Sequence, residues 1–237
     1  MPKSKVFLIQ DIQKESPDVF TFTCFYEDGP LRFLPGQFLV AQRYPDGKRA
    51  SVTFSSAPSD PNGFSFTLKR MGEFGTDFCD KVKVGDPVSF IGPTGPFAMD
   101  IHQREPICFL CRDYTSSAAR SALLERELER EKTGRVPRGR FFLLHELSAP
   151  SEEIFGQEFR KGSPGFFYLP TLDPESGESS RDYPKSRLTA EFVKNNVPNF
   201  EATEFYICAE GVDAKFYKAE LQKLGISKDK IHLERWS

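Results

Sequence analysis

The 237 residues of the chain suffice for one large domain or two of ordinary size. Its 32 basic and 34 acidic residues nearly cancel, which removes the charge argument for nucleic acid. At 14% aromatic residues, mostly Phe, the composition excludes a disordered chain and implies a filled core.

The five cysteines (Cys24, Cys79, Cys108, Cys111 and Cys208) are scattered and mostly sit in apolar runs, which suits a reducing compartment. No stretch approaches the roughly 20 apolar residues that span a bilayer, and no apolar run follows a charged start. A cytoplasmic protein without a transmembrane segment is expected.

From Ser4 to about Met99 short strands alternate with turn residues. Val6 to Ile12, Val19 to Tyr26, Gln37 to Gln42, Ser51 to Ser55, Phe64 to Lys69 and Pro87 to Ile91 read as strands. Gly29-Pro30, Pro45-Asp46-Gly47, Ser59 to Gly63 and Gly85-Asp86 punctuate them as turns. Six short strands at this spacing predict a small antiparallel barrel or sandwich. One helix interrupts them over Thr76 to Val82, opened by Gly72-Glu73-Phe74-Gly75-Thr76. That turn reads as an ordinary N-terminus capped by Thr76, or as an anion site built from free N–H groups. The segment KRASVTFSSAP, Lys48 to Pro58, ends a strand in compact hydroxyls. Such a strand end suits a flat ligand with polar edges.

After His102 the pattern changes to apolar strands alternating with helices. Ile107 to Cys111, Phe141 to Leu144, Phe166 to Leu169, Glu204 to Cys208 and Ile231 to Leu233 read as buried parallel strands. Ala118 to Lys132, Ser151 to Arg160 (capped by Ser151), Leu188 to Asn195 and Asp213 to Leu224 read as the helices between them. The alternation predicts a doubly wound parallel sheet of about five strands. The expected division is 1–102 for the barrel and 103–237 for the α/β domain, with a polar linker at His102 to Pro106. Thr171 to Lys185, rich in proline and serine, reads as a mobile surface loop, more simply an insertion than a lid. Cys108 and Cys111 are three apart on a strand, so their sulfurs face opposite ways and no metal site is expected. No cysteine cluster suits an iron–sulfur centre, and His102, His145 and His232 lack ligand spacing.

The series PGQF, VTFSSAPSDP, FTLKR, GEFGT and KVGDPVSFIGPTGPF resembles the FAD-binding domain of the ferredoxin–NADP reductase superfamily in order and spacing over about ninety residues. The resemblance implies a flavin on the barrel and a nicotinamide-binding domain after it. It places Thr53 at the hydroxyl that approaches flavin N5, Ser56 at the last position of the flavin signature, and Val52 where an aromatic ring stacks. The pyrophosphate arginine position holds Ala50, and Arg49 lies one residue early, where only a bulge would re-aim it. Leu68, Lys69 and Arg70 are implied beside the flavin tail, Gly75 and Thr76 at its phosphates, and Trp236 over its inner face.

In the second half the resemblance implies a Gly-rich turn after the first strand and a Cys-Gly pair ending a later one. The chain instead reads Cys111-Arg112-Asp113-Tyr114-Thr115-Ser116-Ser117-Ala118, with Thr115 and Ser116 offering hydroxyls at the helix start. Cys208, implied beside the nicotinamide, is followed by Ala209-Glu210-Gly211. Carboxylates thus stand where phosphates are implied, with Arg112, Arg120 and Arg187 as possible counter-charges. The activity implied is FAD-dependent electron transfer between NADH or NADPH and a separate redox partner, with Thr53 tuning N5. The alternatives are a degenerate relative acting as a binding or regulatory subunit, and a flavoprotein reduced by a protein partner.

Overall fold

The computed structural model describes residues 4–25, 31–43, 47–135 and 138–233. The turns expected at Gly29-Pro30 and Pro45-Asp46, the end of the second strand at Tyr26, and Trp236 lie outside the described residues. The chain divides into two compact units. The first holds residues through Asp100 together with Ser117–Lys132, and the second holds Ile101–Ser116 and the chain from Thr133 onward. The helix expected in the second domain therefore groups with the first unit.

In the first unit β1 (Lys5–Lys14), β2 (Val19–Phe25), β3 (Phe38–Arg43), β4 (Arg49–Thr53), β5 (Gly63–Lys69) and β6 (Pro87–Thr94) form one antiparallel sheet. Its order is β4-β3-β6-β1-β2-β5. The sheet rolls up like a barrel without closing. Its end strands β4 and β5 meet through a single bridge, Phe54 to Phe66, instead of a ladder. Alternation drives the roll: Phe22, Cys24, Leu39, Val52, Phe54, Phe64, Phe66, Val88 and Phe90 turn inward as one core. Phe66 stacks on Phe22 at 5.5 Å and meets Phe78 and Phe90 edge-on at 5.8 and 5.5 Å.

Helix α1 (Gly72–Lys81) starts four residues before the expected position, with Met71 at its N-cap. Thr76 is an exposed residue of the second turn and not a cap. Gly75 explains the shift, because a Cβ there would lie 2.4 Å from the Lys69 carbonyl oxygen. The glycine lets the helix lie directly on the end of β5. Gly75→Ala should therefore cost about 2 kcal/mol or more, since neither backbone can yield cheaply. Thr76→Ala should stay within about 0.5 kcal/mol, whereas a capping threonine would cost about 1 kcal/mol. Urea unfolding of the two variants separates the two helix starts.

The second unit is a five-stranded parallel sheet, β11 (Ile231–Leu233), β10 (Glu204–Cys208), β7 (Ile107–Arg112), β8 (Phe141–Leu147) and β9 (Phe166–Leu172), in that spatial order. Strand β8 is buried along its whole length, as a strand covered on both faces must be. Helix α2 (Ser117–Thr133) follows β7, and α3 (Gly156–Lys161), α4 (Ala190–Asn196) and α5 (Gly211–Lys223) follow in turn. The expected helix over Ser151 to Arg160 breaks in two: a 3-10 turn at Pro150–Glu152, then α3, whose N-cap Phe155 is left-handed at φ 59°. Thr189 caps α4 by accepting the Phe192 N–H.

The segment expected as a mobile loop is tied down at both ends. Leu172 bridges Lys185, and the Tyr183 hydroxyl donates to Glu153 at 3.0 Å.

Candidate functional site

The pleat sorts β4 into two faces. Val52, 1% exposed, and Phe54 point into the core, so Arg49, Ser51 and Thr53 point the other way. The ladder to β3 pairs Phe38, Val40 and Gln42 with Thr53, Ser51 and Arg49 without a register break. These six residues share one face. Two expectations change here. Val52 is a core residue and does not present itself for stacking, and no bulge re-aims Arg49, which stays on the face that carries Thr53.

The cations around this strand differ in their partners. Arg43 binds Asp77 at 2.9 Å, Lys69 lies 3.7 Å from Asp18, and Arg70 grips Asp80 at 2.6 Å. Lys48 pairs with Glu73 in the first turn of α1. Arg49 instead donates from Nε to the neutral Oε1 of Gln42 at 2.9 Å. A guanidinium held by an amide keeps its full charge for an anion. Of the residues expected along a flavin tail, Leu68 packs against the core and Lys69 and Arg70 are ion-paired. Gly75 is spent on helix packing.

Beyond Thr53 the hydroxyls form a buried ladder. Thr21 bonds Thr67 at 2.9 Å, Thr67 donates to Ser55 at 3.1 Å, and Ser55 meets Ser65 at 3.2 Å. The Ser56 hydroxyl accepts the Ser65 N–H at 2.9 Å. Helix α2 clamps the same segment. Ser121 donates to the Ser56 carbonyl at 2.7 Å, Arg120 to the Ser55 carbonyl at 3.1 Å, and Glu125 accepts the Ser59 N–H at 2.8 Å. Arg120 thus serves the strand end. Ser56 is part of the scaffold that fixes the end of β4.

In the second unit the strand order reverses between β7 and β10, the place where open parallel sheets take ligands at their carboxyl ends. The residues there bind one another. Arg112 reaches Glu146, Asp173 at 2.7 Å, Asp113 at 3.4 Å and Asp213 at 3.9 Å. Arg187 binds Glu146 at 2.5 Å and Asp213 at 2.7 Å. Two guanidiniums thus face four carboxylates. Glu146 is fully buried and also accepts the Leu188 N–H at 2.9 Å. Burial pushes its carboxyl up despite the Leu188 N–H and both arginines. For Asp173 the burial penalty is outweighed by the Glu175 N–H and Arg112, which hold it below the usual carboxylate range. Asp113, left-handed at φ 47°, accepts the Ser148 N–H at 2.6 Å and the Ser148 hydroxyl at 3.0 Å.

Thr115 and Ser116, expected at a phosphate, are buried. The Thr115 hydroxyl accepts the Arg112 N–H at 3.1 Å and gives its proton to the Cys208 carbonyl. Tyr114 donates to Glu210 at 2.6 Å. Cys208 is buried at the end of β10. Cys108 is buried likewise, and burial pushes its thiol up, as befits a packing residue. His145, which lacks ligand spacing in the sequence, is fully buried. Its Nε2 faces the Asp113 carbonyl at 2.5 Å and its Nδ1 lies 3.2 Å from the Tyr168 hydroxyl, which donates to Glu153. Burial lowers its pKa more than the Asp113 contacts raise it. Among the described residues no cluster could hold a metal ion, and no helix is long and apolar enough to cross a membrane.

The residues on the β3–β4 face are of the types that suit a flavin: a guanidinium held by an amide, two hydroxyls and the ring of Phe38, with Thr53 itself only 3% exposed. The turn after β7 does not fit a dinucleotide as it stands, because its donors are spent internally and its unmatched charge is negative.

No protein-family model matches the chain. It is 37% identical over 103 residues to the glycine betaine monooxygenase reductase subunit of Pseudomonas aeruginosa, covering 41% of this chain and 28% of that one. It is 23% identical over 241 residues to the flavohemoprotein of Bacillus cereus, covering 96% of this chain and 60% of that one. The chain thus spans less than two thirds of the length of these curated relatives. Among solved structures, the FAD/NAD-binding domain of Vibrio cholerae nitric oxide dioxygenase superposes with a TM-score of 0.80 at 20% identity, covering 97% of both chains. A ferredoxin NADP+ reductase from Neisseria gonorrhoeae, solved with FAD and NADP bound, superposes with a TM-score of 0.79 at 20% identity, covering 99% of both.

Proposed function

We propose, from a chain that carries the two-domain fold of the ferredoxin–NADP reductase superfamily, that it is an FAD-dependent oxidoreductase passing electrons from NAD(P)H to a separate redox partner. The observation that carries the reading is the β4 face, where Arg49, Ser51 and Thr53 stand in a row beside Phe38. Arg49 would take the flavin's phosphates and Thr53 would hold a hydroxyl at the reactive ring, while bound FAD supplies the redox chemistry. The buried hydroxyl ladder and α2 fix the strand end that orients Thr53. That relatives include a reductase subunit of a monooxygenase supports an acceptor on another chain. Free cysteines, burial-raised at Cys24 and Cys108, support a reducing, cytoplasmic setting. A second reading, a flavoprotein reduced by a protein donor, draws on the self-paired turn after β7.

The test compares FAD affinities by fluorescence quenching. Arg49→Ala should weaken FAD about tenfold, the scale of one charge-assisted contact. Val52→Ala should lower stability and leave affinity within about twofold, because its side chain faces the core. The opposite ranking would overturn the assignment of the face.

A further inference from the structure

We propose that Gln42 is a positioning residue that holds the Arg49 guanidinium by its Nε edge and presents the rest of the fork to a diphosphate. The inference rests on the functional reading above and names what sets the phosphate grip of the β4 face. Gln42 and Arg49 stand directly opposite each other in the β3–β4 ladder. The Gln42 side chain joins two partners, donating from Nε2 to the Gly47 carbonyl at 2.8 Å and accepting from Arg49 Nε at 2.9 Å. A carbonyl can only accept and an Nε–H can only donate, so neither contact would survive a turn of the amide. Its orientation is fixed from both sides. Gly47 carries the anchor: its N–H donates to the Arg43 carbonyl at 2.8 Å, and a Cβ on it would lie 2.7 Å from the Arg43 Cβ. A glycine lets the chain return this closely over the end of β3.

The bond occupies Nε alone. Arg49 is exposed, and its two Nη groups make no hydrogen bond or ion pair among the described residues. Their N–H groups lie in one plane and match the oxygens of a phosphate group. Arg43, Lys48 and Arg70 nearby are each held by a carboxylate, which takes up charge as well as geometry. The amide of Gln42 fixes the geometry and leaves the charge. Holding the side chain in advance also lowers the rotamer entropy that Arg49 would lose on binding an anion.

Two variants separate the hold from the charge. Gln42→Ala releases the guanidinium, while Gln42→Glu keeps the shape and pairs it with a carboxylate. Gln42→Glu should weaken FAD binding about tenfold and Gln42→Ala about threefold, with the thermal midpoints unchanged. In an Arg49→Ala background Gln42→Ala should change the affinity by less than about twofold, because the arginine it acts through is gone. A loss that adds in full in that background would overturn the inference, as would affinities within about twofold of wild type in both single variants. A second readout needs no flavin. In NMR spectra of the nitrogen-labelled full chain before FAD is added, inorganic pyrophosphate should shift the Arg49 Nε–H signal in wild type and not in Gln42→Glu. A signal that moves equally in both proteins, or in neither, would overturn the inference. Wild-type protein that takes up no FAD would count against the functional reading, and the pyrophosphate titration then decides the role of Gln42 by itself.

Discussion

Glu146→Ala should cost the second unit about 3–5 kcal/mol, among the largest losses expected of any single change in that unit. The carboxylate has no exposure to water, and it serves two guanidiniums and a backbone N–H at once. Removing it takes the shared buried acceptor from Arg112 and Arg187, which keep Asp173 and Asp213 as partners. It also leaves the Leu188 N–H without its carboxylate at the start of α4. Far-UV circular dichroism during urea unfolding should show the midpoint falling steeply. Glu178→Ala, on an exposed turn, should stay within about 0.5 kcal/mol. A loss below about 1 kcal/mol at Glu146 would mean that solvent screens the network.

Phe66→Ala should cost the first unit about 3–5 kcal/mol. Phe66 is fully buried, touches three other rings, and supplies the bridge to Phe54 where the rolled sheet meets itself. Its removal therefore opens a cavity beside the Phe54–Phe66 bridge. Phe66→Leu keeps most of the volume and should cost about 1 kcal/mol. Thermal unfolding distinguishes the two. Equal, small losses would show that the sheet edges hold without the ring.

Both sheets were legible because their signal is periodic. Strand alternation, turn residues and apolar runs are local quantities, and each of the eleven strands lies within a few residues of its expected position. Helix starts were less legible. Thr76 has the chemistry of a cap, but the start of α1 is decided by how closely Gly75 lets the helix approach Lys69, a contact between elements. The same limit applies at the site. Counting from the family pattern put the stacking position at Val52, whereas the direction of β4 is set by which side chains the core claims. The carboxylates Asp113 and Glu210 were visible as departures; of the three arginines expected to offset them, Arg112 lies 3.4 Å from Asp113, whereas Arg187 binds Glu146 and Asp213. Glu146 could have been noticed as a charge inside the otherwise buried run FFLLHEL. Its two arginine partners come from distant segments, and no spacing in the chain announces that they meet.

The central claim is that the Arg49–Ser51–Thr53 face of β4 holds a flavin. The direct measurement is flavin absorbance per chain after the purified protein has been offered FAD and freed of excess. The account predicts a yellow protein with close to one flavin per chain, and a clear loss of bound flavin in Arg49→Ala. Colourless wild-type protein that takes up no added FAD would contradict it.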